Sequence, residues 1–277
     1  MAPIRGIVLR GPMDENTKTD CRNLAAALAD AARTETLRYF RKPDLRADNK
    51  RADGFDPVTE GDRAAESVMR KLIETRRPLD GILGEEFPPK ESKSGLTWVL
   101  DPIDGTRGYV SGTPTWGTLI ALHDGQAPVY GIIDQPYIGE RFSGGFGEAN
   151  MSGPGLDLPL KTSSVDMLGD AVIFTTFPEV GAPEEGAAFA QVAKQCKLVR
   201  YGMDCYAYAL LAAGHVDLVI EAGLQAYDIQ APIAVIEAAG GIVTDWRGGP
   251  ADQGGRVLAA ANSQIHKAAL AILQEIA

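Results

Sequence analysis

Trp98-Val99-Leu100-Asp101-Pro102-Ile103-Asp104-Gly105-Thr106 is the stretch that decides how the chain folds. Its first three residues form an apolar run of the kind a buried strand shows, and the strand ends on two acids. Carboxylates gathered at the mouth of a sheet repel one another unless a counter-ion sits among them. Two further acidic sites make sense only if the fold brings them here: Gly84-Glu85-Glu86 upstream and Tyr227-Asp228 far downstream. Together they read as a cage for a hard divalent cation. Magnesium takes oxygen ligands in octahedral geometry, keeps several waters, and is usually held by a few carboxylates plus substrate phosphate oxygens. Glu85, Asp101, Asp104 and Asp228 supply such oxygens. Pro102 fixes its own backbone angle and Gly105 removes a Cβ, so the turn is able to aim the Ile103 carbonyl at a metal and the Gly105 and Thr106 amides at an anion. The chemistry this suits is phosphoester hydrolysis. Two cations about 3.5–4 Å apart would engage the attacking water and the leaving oxygen together.

Working outward, apolar and Ala residues recur at helical spacing from Thr17 to Arg41, and the polar stretch Asp44 to Phe55 reads as a loop. A second helix is expected from Glu60 to Thr75, then short strands at Gly81–Leu83 and Thr97–Leu100. Gly117–His123 and Ala127–Ile133, joined at Asp124-Gly125, read as a hairpin, with a further strand over Arg141–Phe146. The Gly- and Pro-rich segment Gly145 to Pro159 is the best boundary, dividing an N-terminal α+β half, 1–150, from a C-terminal α/β half, 151–277. In the second half strands at 171–175, 197–200, 216–221, 242–244 and 257–260 alternate with helices over 184–195 and 204–213, from near Asp228 to Gly240, and from Ser263.

Composition narrows the function. A chain of 277 residues that is 45% hydrophobic is long enough for one large or two closely packed domains. The net charge of −10 and the lack of a Lys/Arg-rich tract argue against a nucleic-acid surface, so phosphate has to be attracted locally, by metals. Cys21, Cys196 and Cys205 show no paired spacing, and His123, His215 and His266 no zinc-ligand spacing, which fits a reducing cytoplasm. Met1 to Asn16 lacks the apolar core of a signal peptide, and no run of about 18 apolar residues appears. The expectation is a soluble protein with no membrane partner.

The motifs Asp56-Pro57-Val58-Thr59-Glu60-Gly61-Asp62, Gly84-Glu85-Glu86, Asp101 to Thr106, and Tyr227-Asp228 with Glu237-Ala238-Ala239-Gly240-Gly241 resemble those of the inositol monophosphatase-like family, the magnesium-dependent, lithium-sensitive small-molecule phosphatases. The resemblance implies a mixed α/β chain in a layered α-β-α-β-α fold with the site between its halves, acting as a homodimer on a phosphate monoester with two or three Mg2+ per site. It makes Glu85, Asp101, the Ile103 carbonyl, Asp104 and Asp228 metal ligands. It assigns water activation to Thr106 with Asp62, Glu85 being a further acceptor. Tyr227 stands where many members carry Trp, which keeps an aromatic wall. Blander readings exist for several of these residues: Thr59 and Asp62 as a helix capping box, Glu85-Glu86 as a solvated turn, Asp101 and Asp104 as turn formers.

Two stretches, Asp104 to Tyr109 followed by Trp116 to Leu122, and Gly202 to Tyr208 followed by Gly214 to Leu224, look like the histidinol-phosphatase branch of that family. On that pattern Arg107, Asp204 and Glu221 face the substrate, and the acids suit a cationic amino-imidazole leaving group better than a neutral polyol. The alternatives are a surface Arg107, an Asp204 that caps its helix and a strand-end Glu221. The runner-up substrates are inositol-1-phosphate or a range of sugar phosphates. A catalytically silent, metal-stabilised binding protein would have lost a ligand or water activator, and none is missing here.

Overall fold

The computed structural model describes residues 13–43, 47–49 and 57–276. Helix α1 (Glu15–Tyr39) opens on Asp14, whose carboxylate accepts the Thr17 amide at 2.9 Å. Strands β1 (Ala47–Asn49) and β2 (Pro57–Thr59) pair antiparallel and lead into α2 (Glu60–Arg76). The loop expected over Asp44 to Phe55 lies outside the described residues apart from Ala47–Asn49, as do residues 1–12 of the start and Asp56 of the first motif. Next come β3 (Gly81–Gly84), β4 (Thr97–Asp104), the short α3 (Thr106–Ser111), β5 (Gly117–His123), β6 (Pro128–Gln135), β7 (Glu140–Gly145), β8 (Glu148–Gly153) and β9 (Leu156–Pro159). The chain then forms β10 (Val172–Thr175), α4 (Pro183–Ala193), β11 (Leu198–Tyr201), α5 (Cys205–Ala212), β12 (Leu218–Leu224), α6 (Ala226–Ala238), β13 (Ile242–Thr244), β14 (Gly255–Ala260) and α7 (Ser263–Ile276).

Strands β3 to β9 make one sheet in sequence order, parallel at β3–β4 and antiparallel from there on. The second sheet runs β11-β10-β12-β14-β13. Period-two alternation sorts the apolar residues of the first sheet: Trp98, Leu100, Ile120 and Leu122 pack on α1 and α2, while Val99, Leu119, Ala121 and Ile133 pack on α5 and α6. All of β5 is buried because both of its faces are covered. On the far side of the second sheet Ile173, Leu218, Ile220 and Leu258 pack on α4 and α7. The layers are therefore α-β-α-β-α, as the resemblance implies, and Asp101 shares the Val99 face and looks into the central helical layer. Among the described residues no helix is long and apolar enough to cross a membrane.

Three local features depart from the sequence reading. Strand β4 continues past Leu100 to Asp104, because Asp101 opposes Leu119 and Asp104 opposes Gly117, leaving one extra residue on β4. Pro102 has no amide to give a ladder and sits in that bulge, where its carbonyl accepts the Thr118 hydroxyl at 2.8 Å. Helix α3 was not anticipated, because six residues are too few to show a period. The segment Gly145 to Pro159 is not a linker: β8 and β9 extend the first sheet through it, and residue 150 lies inside β8. Its glycines are hairpin punctuation, with Gly147 (φ +86°) after β7 and Gly155 (φ +75°) after β8.

Helix α6 lies unusually close to the first sheet. A Cβ on Gly131 of β6 would meet the Ala231 carbonyl oxygen at 2.5 Å, and one on Gly144 of β7 would meet Val235 Cα at 2.6 Å. Backbone cannot yield as a side-chain tip does. Gly131→Ala or Gly144→Ala should each cost about 1–3 kcal/mol of stability, read as a lower melting temperature by circular dichroism. An unchanged melting temperature in both would contradict this seating of α6.

Candidate active site

The β4 bulge sets Asp101 and Asp104 at one end of the first sheet, where Asp228 of α6 joins them. Asp101 is 2% exposed, and its Oδ1 accepts the Ile103 amide at 3.1 Å. Asp104 closes the strand, and its Oδ2 accepts the Cys205 amide at 2.6 Å, tying the turn to the start of α5. Asp228 sits in the first turn of α6 and accepts the Gln225 amide at 2.7 Å. Carboxylate oxygens of Asp101, Asp104 and Asp228 lie within 4.8 Å of one another. Burial first, then the neighbouring charges of Glu85, Asp104 and Asp228, holds the Asp101 carboxyl well above the ordinary carboxylate range. Burial and the charges of Asp204 and Asp228 do the same to Asp104, partly offset by the Cys205 amide.

A second group, Asp62, Glu85 and Glu86, also brings its carboxylates within 4.8 Å. Asp62 is the third residue of α2 and completes the capping box: its Oδ2 accepts the Thr59 amide at 2.7 Å and the Thr59 hydroxyl at 2.6 Å. Its Oδ1 is buried with no hydrogen-bond partner. Capping therefore uses one oxygen and leaves the other available. Burial raises the Asp62 pKa to about 7, with Glu85 and Glu86 adding to the rise and Thr59 opposing it. The Thr106 hydroxyl donates to the Ile103 carbonyl at 3.1 Å and not to Asp62, because Thr106 opens α3 directly above that carbonyl.

Glu85, Asp101, Ile103, Asp104, Gly105, Thr106, Arg107, Asp204, Glu221 and Asp228 all line one cleft of about 270 Å³; Asp62 lies behind it, against Glu85. Gly105 is needed twice. Its φ is +81°, and a Cβ there would press within 2.7 Å of Asp204 Cγ. Asp204 begins α5 but makes no side-chain cap; it packs on Gly105 and Gly108, with Thr115 Oγ1 at 3.5 Å. Glu221 is not a surface acid. It is 5% exposed, and its carboxylate accepts the Thr176 amide at 2.6 Å and the Thr175 hydroxyl at 3.2 Å. Burial raises its pKa to about 7, against those two hydrogen bonds. Arg107 lies over the Phe177 ring, 4.9 Å from its centroid, so the cleft mouth is bridged from α3 to the loop after β10. Tyr227 is partly buried against the central core. Sequence reasoning missed Cys205, whose part is a backbone amide that any residue type supplies, and Phe177, an isolated aromatic with no pattern around it.

The donors are hard oxygens throughout, and crowding and burial raise the cost of ionising Asp101 and Asp104. That is the donor chemistry of magnesium or a similar cation. The chain is also similar to known phosphatases. A profile described as the inositol monophosphatase family matches residues 17–277. The bifunctional phosphatase IMPL2 of Arabidopsis thaliana is 41% identical over 260 residues, 90% of this chain and 73% of that protein. The histidinol-phosphatase of Chlorobaculum parvum is 34% identical over 252 residues, 90% of this chain and 95% of that one. The solved structure of an inositol monophosphatase from Zymomonas mobilis superposes with a TM-score of 0.81 at 38% identity, covering 95% of this chain and 100% of its own.

Asp62 and Glu221 each fold with a pKa of about 7, above their ordinary values of 3.8 and 4.5. The folded state therefore binds these protons more tightly than the unfolded chain. Their contribution to stability is complete below the ordinary values and is lost as pH rises through about 7. In chelator, the protein should melt at a higher temperature near about pH 5 than near about pH 8, and Glu221→Gln should flatten that dependence. A melting temperature that climbs with pH across this window, or an unaltered slope in the variant, would contradict the burial of these carboxyls.

Proposed function

Because the chain belongs to the inositol monophosphatase family, we propose that this phosphatase is a magnesium-dependent hydrolase of histidinol phosphate. The observation that carries the substrate reading is the pair of acids, Asp204 and Glu221, lining the same cleft as the Asp101, Asp104 and Asp228 carboxylates. A leaving group bearing an ammonium and an imidazole matches acids there; a neutral polyol leaves them uncompensated. The likeness to histidinol-phosphatases supports the same choice. Inositol-1-phosphate remains the second reading, supported by the Zymomonas mobilis structure.

In this mechanism Glu85, Asp101, Asp104, Asp228 and the Ile103 carbonyl would hold the cations, two or three to the site. Bound magnesium supplies Lewis-acid stabilisation of charge developing on the phosphoryl oxygens and makes water acidic enough to attack. The protein's own groups do the remaining work. The Gly105 and Thr106 amides cradle the phosphate at the turn that the left-handed Gly105 creates. The Thr106 hydroxyl, which rests on the Ile103 carbonyl, would turn from it to orient the attacking water and pass the proton to Asp62, whose Oδ1 has no hydrogen-bond partner and whose pKa burial raises to about 7. Glu85 is a further acceptor. Asp204 and Glu221 take the ammonium and imidazole, and Arg107 with Phe177 closes the mouth of the cleft around the leaving group.

Phosphate release from a panel of monoesters with magnesium tests the reading. Histidinol phosphate should show the highest catalytic efficiency, and a higher value on inositol-1-phosphate would overturn the substrate while sparing the phosphatase. Asp101→Asn or Asp104→Asn should cut turnover by orders of magnitude without unfolding the protein, since removing a charge from a crowded acid cluster relieves repulsion. Near-normal turnover in either would remove them from the metal site. Glu221→Gln should lower efficiency on histidinol phosphate roughly tenfold to a hundredfold more than on glycerol phosphate, the worth of one charge-assisted contact. Equal losses on both would make Glu221 a brace for the Thr175-Thr176 turn only.

A further inference from the structure

We infer that Glu66, in the middle of α2, is the positioning residue that aims Glu85 into the cleft, holding the Gly84-Glu85-Glu86-Phe87 turn from behind through its backbone. Glu66 has no exposed surface, and a fully buried carboxylate needs a reason to be there. Its Oε2 accepts the Glu86 amide at 2.7 Å and its Oε1 the Phe87 amide at 3.3 Å. The charge is balanced one helical turn on by Arg70, whose Nε donates to Oε1 at 2.7 Å. Arg70 also donates to the Phe87 carbonyl at 2.9 Å and lies over the Phe87 ring, 5.8 Å from its centroid. One ion pair from α2 thus grips three backbone groups in the two residues that follow Glu85.

Gly84 reports on the same arrangement. A Cβ built there would overlap the Glu66 carboxylate, so the glycine before Glu85 is the space that Glu66 fills. Glu66 and Arg70 do not line the cleft, and a turn of this kind without them would present its amides to solvent and wander. The lever arm is short. A turn that relaxes by even a fraction of an ångström moves the Glu85 carboxylate away from Asp101 and Asp62, the groups with which it acts. Since the inference rests on Glu85 being a metal ligand, its test has to separate the two.

The test is isothermal titration calorimetry of Mg2+ into the metal-stripped full-length protein, comparing Glu66→Gln, Gly84→Ala and Glu85→Gln, with circular dichroism to establish folding. Glu66→Gln keeps the shape but leaves one oxygen for two amides and Arg70. Gly84→Ala keeps both Glu66 and Arg70 but forces the carboxylate and the turn apart, so it tests the same contact if the first variant does not fold. Both should weaken Mg2+ binding roughly tenfold to a hundredfold at temperatures where the protein is fully folded. A merely structural Glu66 would lower the melting temperature and leave Mg2+ affinity untouched. Native Mg2+ affinity in folded Gly84→Ala and Glu66→Gln, beside a loss in Glu85→Gln, overturns the positioning role alone. Native affinity in Glu85→Gln overturns the ligand reading and this inference with it.

Discussion

Mutual repulsion among carboxylates that the fold itself withdraws from water is the constraint on which the rest of the structure depends. Asp101 and Asp104 come from one strand, Asp228 from a helix start and Glu85 from a turn, and the charges of the others raise the cost of ionising Asp101, as Asp204 and Asp228 do for Asp104. A protein that only needed to fold gains nothing by gathering them, because like charges crowded together in a partly buried site are costly. The cluster is held together by backbone amides: Ile103 for Asp101, Cys205 for Asp104, Gln225 for Asp228, Thr59 for Asp62. Each amide satisfies one oxygen of its acid.

Two of these acids use the same local device. Asp62 and Asp228 both occupy the third position of a helix and both accept the amide of the residue before its first turn. That position suits an acid twice, through the amide and through the positive end of the helix dipole. Two helices on opposite faces of the first sheet thereby point anchored carboxylates at one place. Helix α6 reaches it because the sheet beneath presents Gly131 and Gly144, and α5 reaches it because Gly105 admits Asp204. These three glycines are clearance for another element.

The fold was legible where a period or a long apolar run existed. Helices α1 and α2, the β5–β6 hairpin and the alternating second half follow from spacing alone, and the resemblance placed them in layers. What was not legible depended on contacts distant in sequence. The bulge at Pro102 exists because Gly117 and Leu119 set the register against it, and β8 and β9 exist because β7 offered an edge to extend. The acids of the site were readable as residue types at the ends of elements. Their supports were not: the Cys205 amide, the Glu66 carboxylate and the Thr176 amide under Glu221 carry no signature in side-chain chemistry or spacing. Asp62 shows both at once, since the capping box was legible and the buried, unpartnered Oδ1 beside it was not.

The central claim is that these carboxylates form one cation site facing an anion cradle at Gly105 and Thr106. Anomalous diffraction from crystals grown with Mn2+ and inorganic phosphate tests it most directly, since manganese favours the same oxygen donors and scatters anomalously. The account predicts anomalous peaks bounded by Glu85, Asp101, the Ile103 carbonyl, Asp104 and Asp228, with phosphate on the Gly105 and Thr106 amides. Manganese bound only elsewhere on the surface, or phosphate seated away from that turn, would contradict it.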